Sequence, residues 1–332
     1  MPRTLRRVIH PVLAISAWLG GACWRWRAVP LLVVATLPLP AASARVNVQT
    51  GISYAGAGHP RQALDLYLPM ARTAPGLLPV IVFIHGGGWV GGSASAGRTV
   101  LLPYVESGAY AAVSVGYRLA GDAAWPAQLH DVKAAIRWIR AHAVEHGLDP
   151  AKIGVIGPSA GGTLATLLGT TAGLSELDGE VGPHRGESTR VACVVNRFGR
   201  INFLAEPAAA RAAPAQAVAL AGRLRLLFGG TLEDKTDLAR RASAVNHLTP
   251  DDPPILTVHG TADQLVPYVQ AEELAAAARR AGVAHVLLPM QGFGHGFQSP
   301  EEDRRVRAFF DRQLRGMQVE VSLTPIVAPG KK

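Results

Sequence analysis

Lys152-Ile153-Gly154-Val155-Ile156 runs directly into Gly157-Pro158-Ser159-Ala160-Gly161-Gly162, and the reading of this junction decides the fold. The first five residues form a short, mostly apolar run of the kind that fills a strand buried on both faces. From Ala160 to Leu168 small and apolar residues read as a helix. Between them stands G-x-S-x-G at a strand-to-helix turn, the context in which that motif carries meaning. So tight a turn forces Ser159 into a strained backbone region and leaves its hydroxyl exposed above the strand end. Small residues flank it because neighbouring backbone passes close. The helix then points its amide end at the hydroxyl, which favours negative charge there. Without the strand in front, a glycine-rich turn around an ordinary serine would be the simpler reading. Pro158 fixes its own φ and restricts Gly157, but leaves the hydroxyl untouched.

Outward from this junction the chain alternates between two periods. Leu64–Leu68, Pro79–Ile84, Ala111–Val115, Val191–Val195, Pro254–Val258 and His285–Leu288 read as further strands. Gln128–His142 has helical spacing, with Leu129, Val132, Ile136 and Ile139 recurring on one side. Val269–Arg280 and Glu301–Leu314 read as helices. Strands alternating with helices predict an α/β fold, a mostly parallel sheet covered on both faces. Two segments break the rhythm. Thr170–Arg190 is polar and Gly-rich, and Phe203–His247 is Ala/Arg-rich and helix-prone with no strand, as expected of a small lid or insertion. Val319–Lys332 is expected to be a loose tail.

The strand Pro79–Ile84 runs into His85-Gly86-Gly87-Gly88-Trp89. A triple glycine after a buried strand leaves backbone N–H groups unobstructed. Donors fixed on a developing oxyanion lower the barrier of acyl transfer by roughly 3–4 kcal/mol each. Gly87 and Gly88 are the candidate donors, with Ala160, just after the serine, as the third. A phosphate-binding loop is the competing reading, but no Gly-Lys-Ser/Thr follows. A serine hydroxyl also needs a general base, and the base a carboxylate to hold its tautomer. Asp263 follows the strand Pro254–Val258 in His259-Gly260-Thr261-Ala262-Asp263. His295 follows the strand His285–Leu288, flanked by Gly294 and Gly296. A helix-capping aspartate and a surface histidine are the plainer readings of each alone. The order Ser, Asp, His, each at a strand's end, argues against both.

HGGGW, Tyr117-Arg118-Leu119, the stretch WPAQLHDVKAAIRWIR, GPSAGG, HGTADQLVP and GFGHGF together resemble the α/β-hydrolase esterases, over about residues 60–315. Among them the bacterial feruloyl-esterase-like and hormone-sensitive-lipase-like carboxylesterases are the most similar. The resemblance implies an α/β-hydrolase fold and a carboxylic ester hydrolase that needs no cofactor or metal. Ser159 would be nucleophile, His295 base, Asp263 orienter, Gly87, Gly88 and Ala160 oxyanion donors, and Trp89 would line the substrate pocket. Short-chain, aryl and acetyl esters are all compatible. Two departures stand out: Pro158, and Asn196-Arg197-Phe198-Gly199-Arg200-Ile201-Asn202, where such esterases often carry aspartates. That segment borders the pocket, so it bears on substrate choice. Arylformamidases and prolyl-oligopeptidase-like peptidases share parts of these motifs. A non-catalytic binding protein on the same fold is the reading from another class, but such proteins usually lose a triad member.

The bulk numbers fit a core-burying chain, since 48% of the 332 residues are apolar and only 17% charged. The net charge of +9 suggests nucleic acid only until its distribution is seen. Five arginines and no acid fall in residues 1–44, and the remaining basic residues are scattered without a stripe. Those 44 residues read as a targeting segment: Arg25 and Arg27, the apolar Ala28–Pro38, then Ala42-Ser43-Ala44, with a cut after Ala44. Export to the periplasm or medium is the expectation, with membrane contact only through this segment if it is retained. The α/β domain would then span 45–318. Cys193 alone remains in the body, so no internal disulfide forms. His142-Ala-Val-Glu145-His146 matches a zinc-peptidase pattern, but it closes a helix, where histidines suit the dipole, and no third ligand is evident.

Overall fold

The computed structural model describes residues 45–56, 58–205 and 214–330. The expected targeting segment 1–44 lies outside them, as do residues 206–213 of the expected insertion and the last two of the tail. The strands, among the described residues, are β1 (Val46–Ser53), β2 (Ala63–Pro69), β3 (Leu78–Ile84), β4 (Ala111–Val115), β5 (Leu148–Pro158), β6 (Cys193–Arg197), β7 (Ile255–Gly260), β8 (His285–Gln291) and β9 (Ile326–Val327). The helices are α1 (Arg98–Glu106), α2 (Ala127–Ala141), α3 (Ala143–His146), α4 (Ala160–Thr170), α5 (Ser175–Asp178), α6 (Pro214–Phe228), α7 (Thr236–Arg241), α8 (Val269–Ala281) and α9 (Pro300–Arg315).

All nine strands join one sheet in the order β1-β2-β4-β3-β5-β6-β7-β8-β9. β2 pairs antiparallel with β1 and β4, and every other pairing is parallel. The apolar runs sort by the strand's period of two. Along β3, Val80, Val82 and Ile84 join one core with residues of α2, α4 and α8. Ile81 and Phe83 join a second core with residues of α1 and α9. Both faces are therefore covered, as a parallel sheet requires.

Helix boundaries follow local chemistry. α9 opens on Ser299, whose hydroxyl accepts from the Glu302 amide at 3.3 Å, with Pro300 beginning the helix and three acids in its first turn. It closes on Gly316 at φ 67°.

Four features differ from the sequence reading. β6 starts two residues later and takes in Asn196 and Arg197. β1 and α1 appear where no element was read. The expected insertion, by contrast, is helical as its composition predicts, holding α6 and α7. The C-terminal tail is not loose: Ile326 and Val327 pair with Met290 and Gln291 of β8, and Val321 and Ile326 are buried. A parallel edge strand gains hydrogen bonds and a covered apolar face by taking one more strand, which is what β9 supplies.

β3 leads through α1 on one face to β4, whereas β5 leads through α4 on the other face to β6. β3 and β5 are neighbours, so their onward connections part at their carboxyl ends and open a crevice there. Ile326→Ala is expected to lower unfolding free energy by about 2 kcal/mol, the low end for a buried Ile truncated to Ala. Val327→Ala, two-thirds exposed, should stay within about 0.5 kcal/mol of wild type. Urea denaturation of both variants checks this, and equal effects would mean that β9 does not hold the edge.

Candidate active site

Ser159 stands between β5 and α4 at φ 54° and ψ −122°, a backbone setting that side chains avoid. Its amide donates to the Arg197 carbonyl of β6 at 2.8 Å. On the other side Gly161 packs so closely on β3 that a Cβ there would run into the Ile84 carbonyl. The elbow is thus gripped by both neighbouring strands, and α4 begins immediately after the serine.

The structure brings the three expected side chains together. His295 Nε2 lies 3.0 Å from Ser159 Oγ, and His295 Nδ1 lies 2.8 Å from Asp263 Oδ2. The carboxylate fixes the tautomer: Nδ1 donates to Asp263, and Nε2 is left to accept the serine proton. Asp263 Oδ1 accepts from the amides of Leu265 and Val266, each at 2.9 Å. Buried His259 lies 3.4 Å from Oδ2 and its Nε2 donates to the Val266 carbonyl at 2.8 Å. Burial alone raises the Asp263 carboxyl, but His259, His295 and the Val266 amide outweigh it and hold it well below the ordinary carboxylate range. The Phe198 ring meets the His295 ring edge-on, with centroids 4.9 Å apart.

The expected oxyanion donors sit where β3 ends. Gly87 adopts φ 114° and Gly88 φ 58°, and Trp89 follows at φ 72°, buried. Among the described residues no acceptor takes the amides of Gly87 or Gly88. His85 braces this loop from beneath. Its ring stacks on Tyr117 at 4.1 Å, Tyr117 Oη donates to the His85 carbonyl at 2.9 Å, and burial lowers the imidazole to about 4. A neutral His85 therefore keeps charge out of the loop's underside.

Ser159, Ala160, Trp89 and Gly88 line one small cavity of about 30 Å³. Its remaining walls come largely from the two segments expected to border or cover the pocket, residues 196–202 and the insertion 203–247. Leu220, Arg223 and Leu224 of α6 roof it, and Arg200 enters from the loop after β6. Leu220 also borders a cleft of about 450 Å³ that reaches His295, and a larger cavity of about 650 Å³ behind α6. Arg197 was read only as a departure; it pairs with buried Glu302 at 2.8 Å and lies over the rings of Phe198 and Phe297. The zinc-like His142 and His146 stack instead on Trp138. Among the described residues no three His, Cys, Asp or Glu side chains gather as a metal site, and no helix is long and apolar enough to cross a membrane.

A parallel sheet with helices on both faces and this elbow at its carboxyl edge define the α/β-hydrolase fold. Residues 64–278 match the family described as BD-FAE, and the chain belongs to that family. The motif resemblance to α/β-hydrolase esterases is thereby borne out. Esterase LipC of Mycobacterium tuberculosis is 34% identical over 72% of this chain and 57% of its own length. The probable carboxylic ester hydrolase LipM of the same organism is 32% identical over 66% of this chain and 49% of its own length. The chain thus spans about half the length of these curated relatives. Among solved structures, a truncated carbohydrate esterase from gut microbiota is 28% identical. It superimposes with a TM-score of 0.73, covering 83% of this chain and 99% of that one. A propionate-bound thermophilic esterase from Thermogutta terrifontis is 25% identical with a TM-score of 0.64, covering 85% and 98%.

The lowered Asp263 carboxyl has a stability consequence with a definite sign. Its contribution is fully present above the unfolded value of 3.8 and is lost as pH falls through the folded value. The stability lead of wild type over Asp263→Asn should therefore be full at neutral pH and shrink below about pH 4. Urea midpoints of both proteins across that range check it, and a lead that grows on acidification would contradict the geometry.

Proposed function

We propose that this protein is a serine carboxylesterase that hydrolyses small carboxylic esters through an acyl-enzyme. The observation that carries the reading is the hydrogen-bonded line Ser159–His295–Asp263, with Ser159 on a strained elbow beside unengaged glycine amides. The names of its relatives, esterases and carboxylic ester hydrolases, support the same reaction class.

His295 Nε2 takes the proton from Ser159 Oγ as oxygen attacks the ester carbonyl. Charge on the carbonyl oxygen falls to the amides of Gly87, Gly88 and Ala160, and α4 presents its N-terminus to the same point. As the C–O bond to the alcohol breaks, His295 returns the proton to the leaving oxygen. Water, deprotonated by the same imidazole, then releases the acid and regenerates the serine. Asp263 stays ionised throughout, which its lowered carboxyl favours.

The cavity of about 30 Å³ beside Ser159 falls far short of the roughly 300–1,000 Å³ of a typical ligand pocket. In this proposal α6 is a lid. Its outward movement merges the serine's cavity with the two larger spaces, because Leu220 is a wall of all three.

Ser159→Ala is expected to lower kcat/KM on 4-nitrophenyl acetate and butyrate by about 10⁴-fold or more, and Asp263→Asn to lower kcat by about 10⁴-fold. Full activity in Ser159→Ala would sink the assignment. Leu220→Ala is expected to raise octanoate turnover relative to acetate by about tenfold. An unchanged acyl-length profile would remove α6 from the gate.

A further inference from the structure

Arg200 has no part in the acyl transfer described above, yet it lines the cavity of Ser159. Its side chain is buried, with the residue 7% exposed, and its Nη2 has no hydrogen-bond partner among the described residues. The nearby carboxylate, Asp263, is engaged by His295, His259 and two amides. Burial draws the guanidinium down to about 10, against the pull of Asp263, so it remains a cation at neutral pH. A buried charge is costly unless something pairs with it.

A second cation reaches the same cavity from the opposite side. Arg223 of α6 lies over Gly88, where its Nη1 is 2.8 Å from the point a Cβ would occupy. Every other side chain lining this cavity is neutral. The space beside the serine therefore holds two guanidinium groups and no acid. Planar, five-donor guanidinium groups match a carboxylate bidentately.

We infer that the site selects esters bearing a carboxylate close to the scissile bond, which pairs with Arg200 from the β6 loop and with Arg223 from the lid. The inference rests on the esterase reading of Ser159 and adds the charge of the substrate to it. The carboxylate sits on the acyl or the alcohol part, and the two chemistries are separable. If Arg200 served only to steady Asp263, it would act on all esters alike.

The test uses the full chain in a pH-stat, each rate normalised to that ester's hydroxide-catalysed rate. Monomethyl succinate against methyl pentanoate places the charge on the acyl side, and acetoxyacetate against propyl acetate places it on the alcohol side. We expect kcat/KM to favour the anion by about tenfold or more in one of the two pairs. Added salt should erode that preference. Arg200→Gln should abolish it chiefly through a raised KM, and Arg200→Lys should restore part of it. Should Arg200→Gln fail to fold, the wild-type preference and its salt dependence still decide. Ser159-dependent hydrolysis of the neutral esters with no anion preference in either pair overturns this inference and leaves the esterase reading standing. Absence of any Ser159-dependent hydrolysis overturns both.

Discussion

The turn at Ser159 is the constraint on which the rest of the site depends. β5 must end and α4 begin at one residue, and the serine is held at φ 54°, a setting that costs of order 1–3 kcal/mol. The neighbours of β5 hold it there. On one side the Arg197 carbonyl of β6 accepts from the serine amide. On the other the Ile84 carbonyl of β3 leaves no room for a side chain at Gly161. The place of β5 between β3 and β6 is therefore part of the site's construction. The same adjacency puts the glycine loop after β3 next to the serine, and the ends of β7 and β8 complete the line with Asp263 and His295.

Most parts of this arrangement that were legible in the sequence share one property: they belong to or follow strands buried on both faces. Ala111–Val115 was readable to the residue because every position in it is buried and it is apolar but for Ser114. Ser159 and Asp263 could be placed because each follows such a run, whereas His295 follows the half-buried β8 and was placed by its flanking glycines and by the order Ser, Asp, His. β6 was displaced by two residues because Asn196 and Arg197 are polar, and only their tertiary partners, the Gly199 amide and Glu302, explain them in a buried strand. β1 is an edge strand with mostly exposed positions, so it carries no clean alternation. β9 is two residues long and exists only through its pairing with β8. α1 contains Pro103, which masks a helix in any reading from residue type.

The roof of the site was legible only as a helix-prone lid, for a different reason. α6 buries Leu224, Leu227 and Phe228 but exposes Val218 and Leu226, so its apolar residues do not resolve into one inward stripe. Helical character could be read from its alanines, leucines and arginines. Which turn lies over the serine could not, because that depends on how the connection crosses the carboxyl edge of the sheet. The aligned Ser159, His295 and Asp263 thus come from strand ends and are written in local patterns, whereas much of the cavity wall beside them comes from an insertion and one loop.

At the end of β6 and in the loop after it, two arginines three residues apart have different surroundings. Arg197 lies against Glu302 at 2.8 Å and over two aromatic rings, so its charge is answered inside the chain. Its carbonyl meanwhile holds the serine amide, which ties this ion pair to the elbow. Arg200 lines the cavity of Ser159, and the carboxylate that acts on it, Asp263, is already engaged by two histidines. Among the described residues Arg197 has a carboxylate partner and Arg200 Nη2 has none, the contrast on which the inferred pairing of Arg200 with a substrate carboxylate rests. The first ties the end of β6 to α9 beside the elbow. In that inference the second, lodged in a low-dielectric space where an opposite charge is felt strongly, discriminates between molecules by charge before any bond is broken.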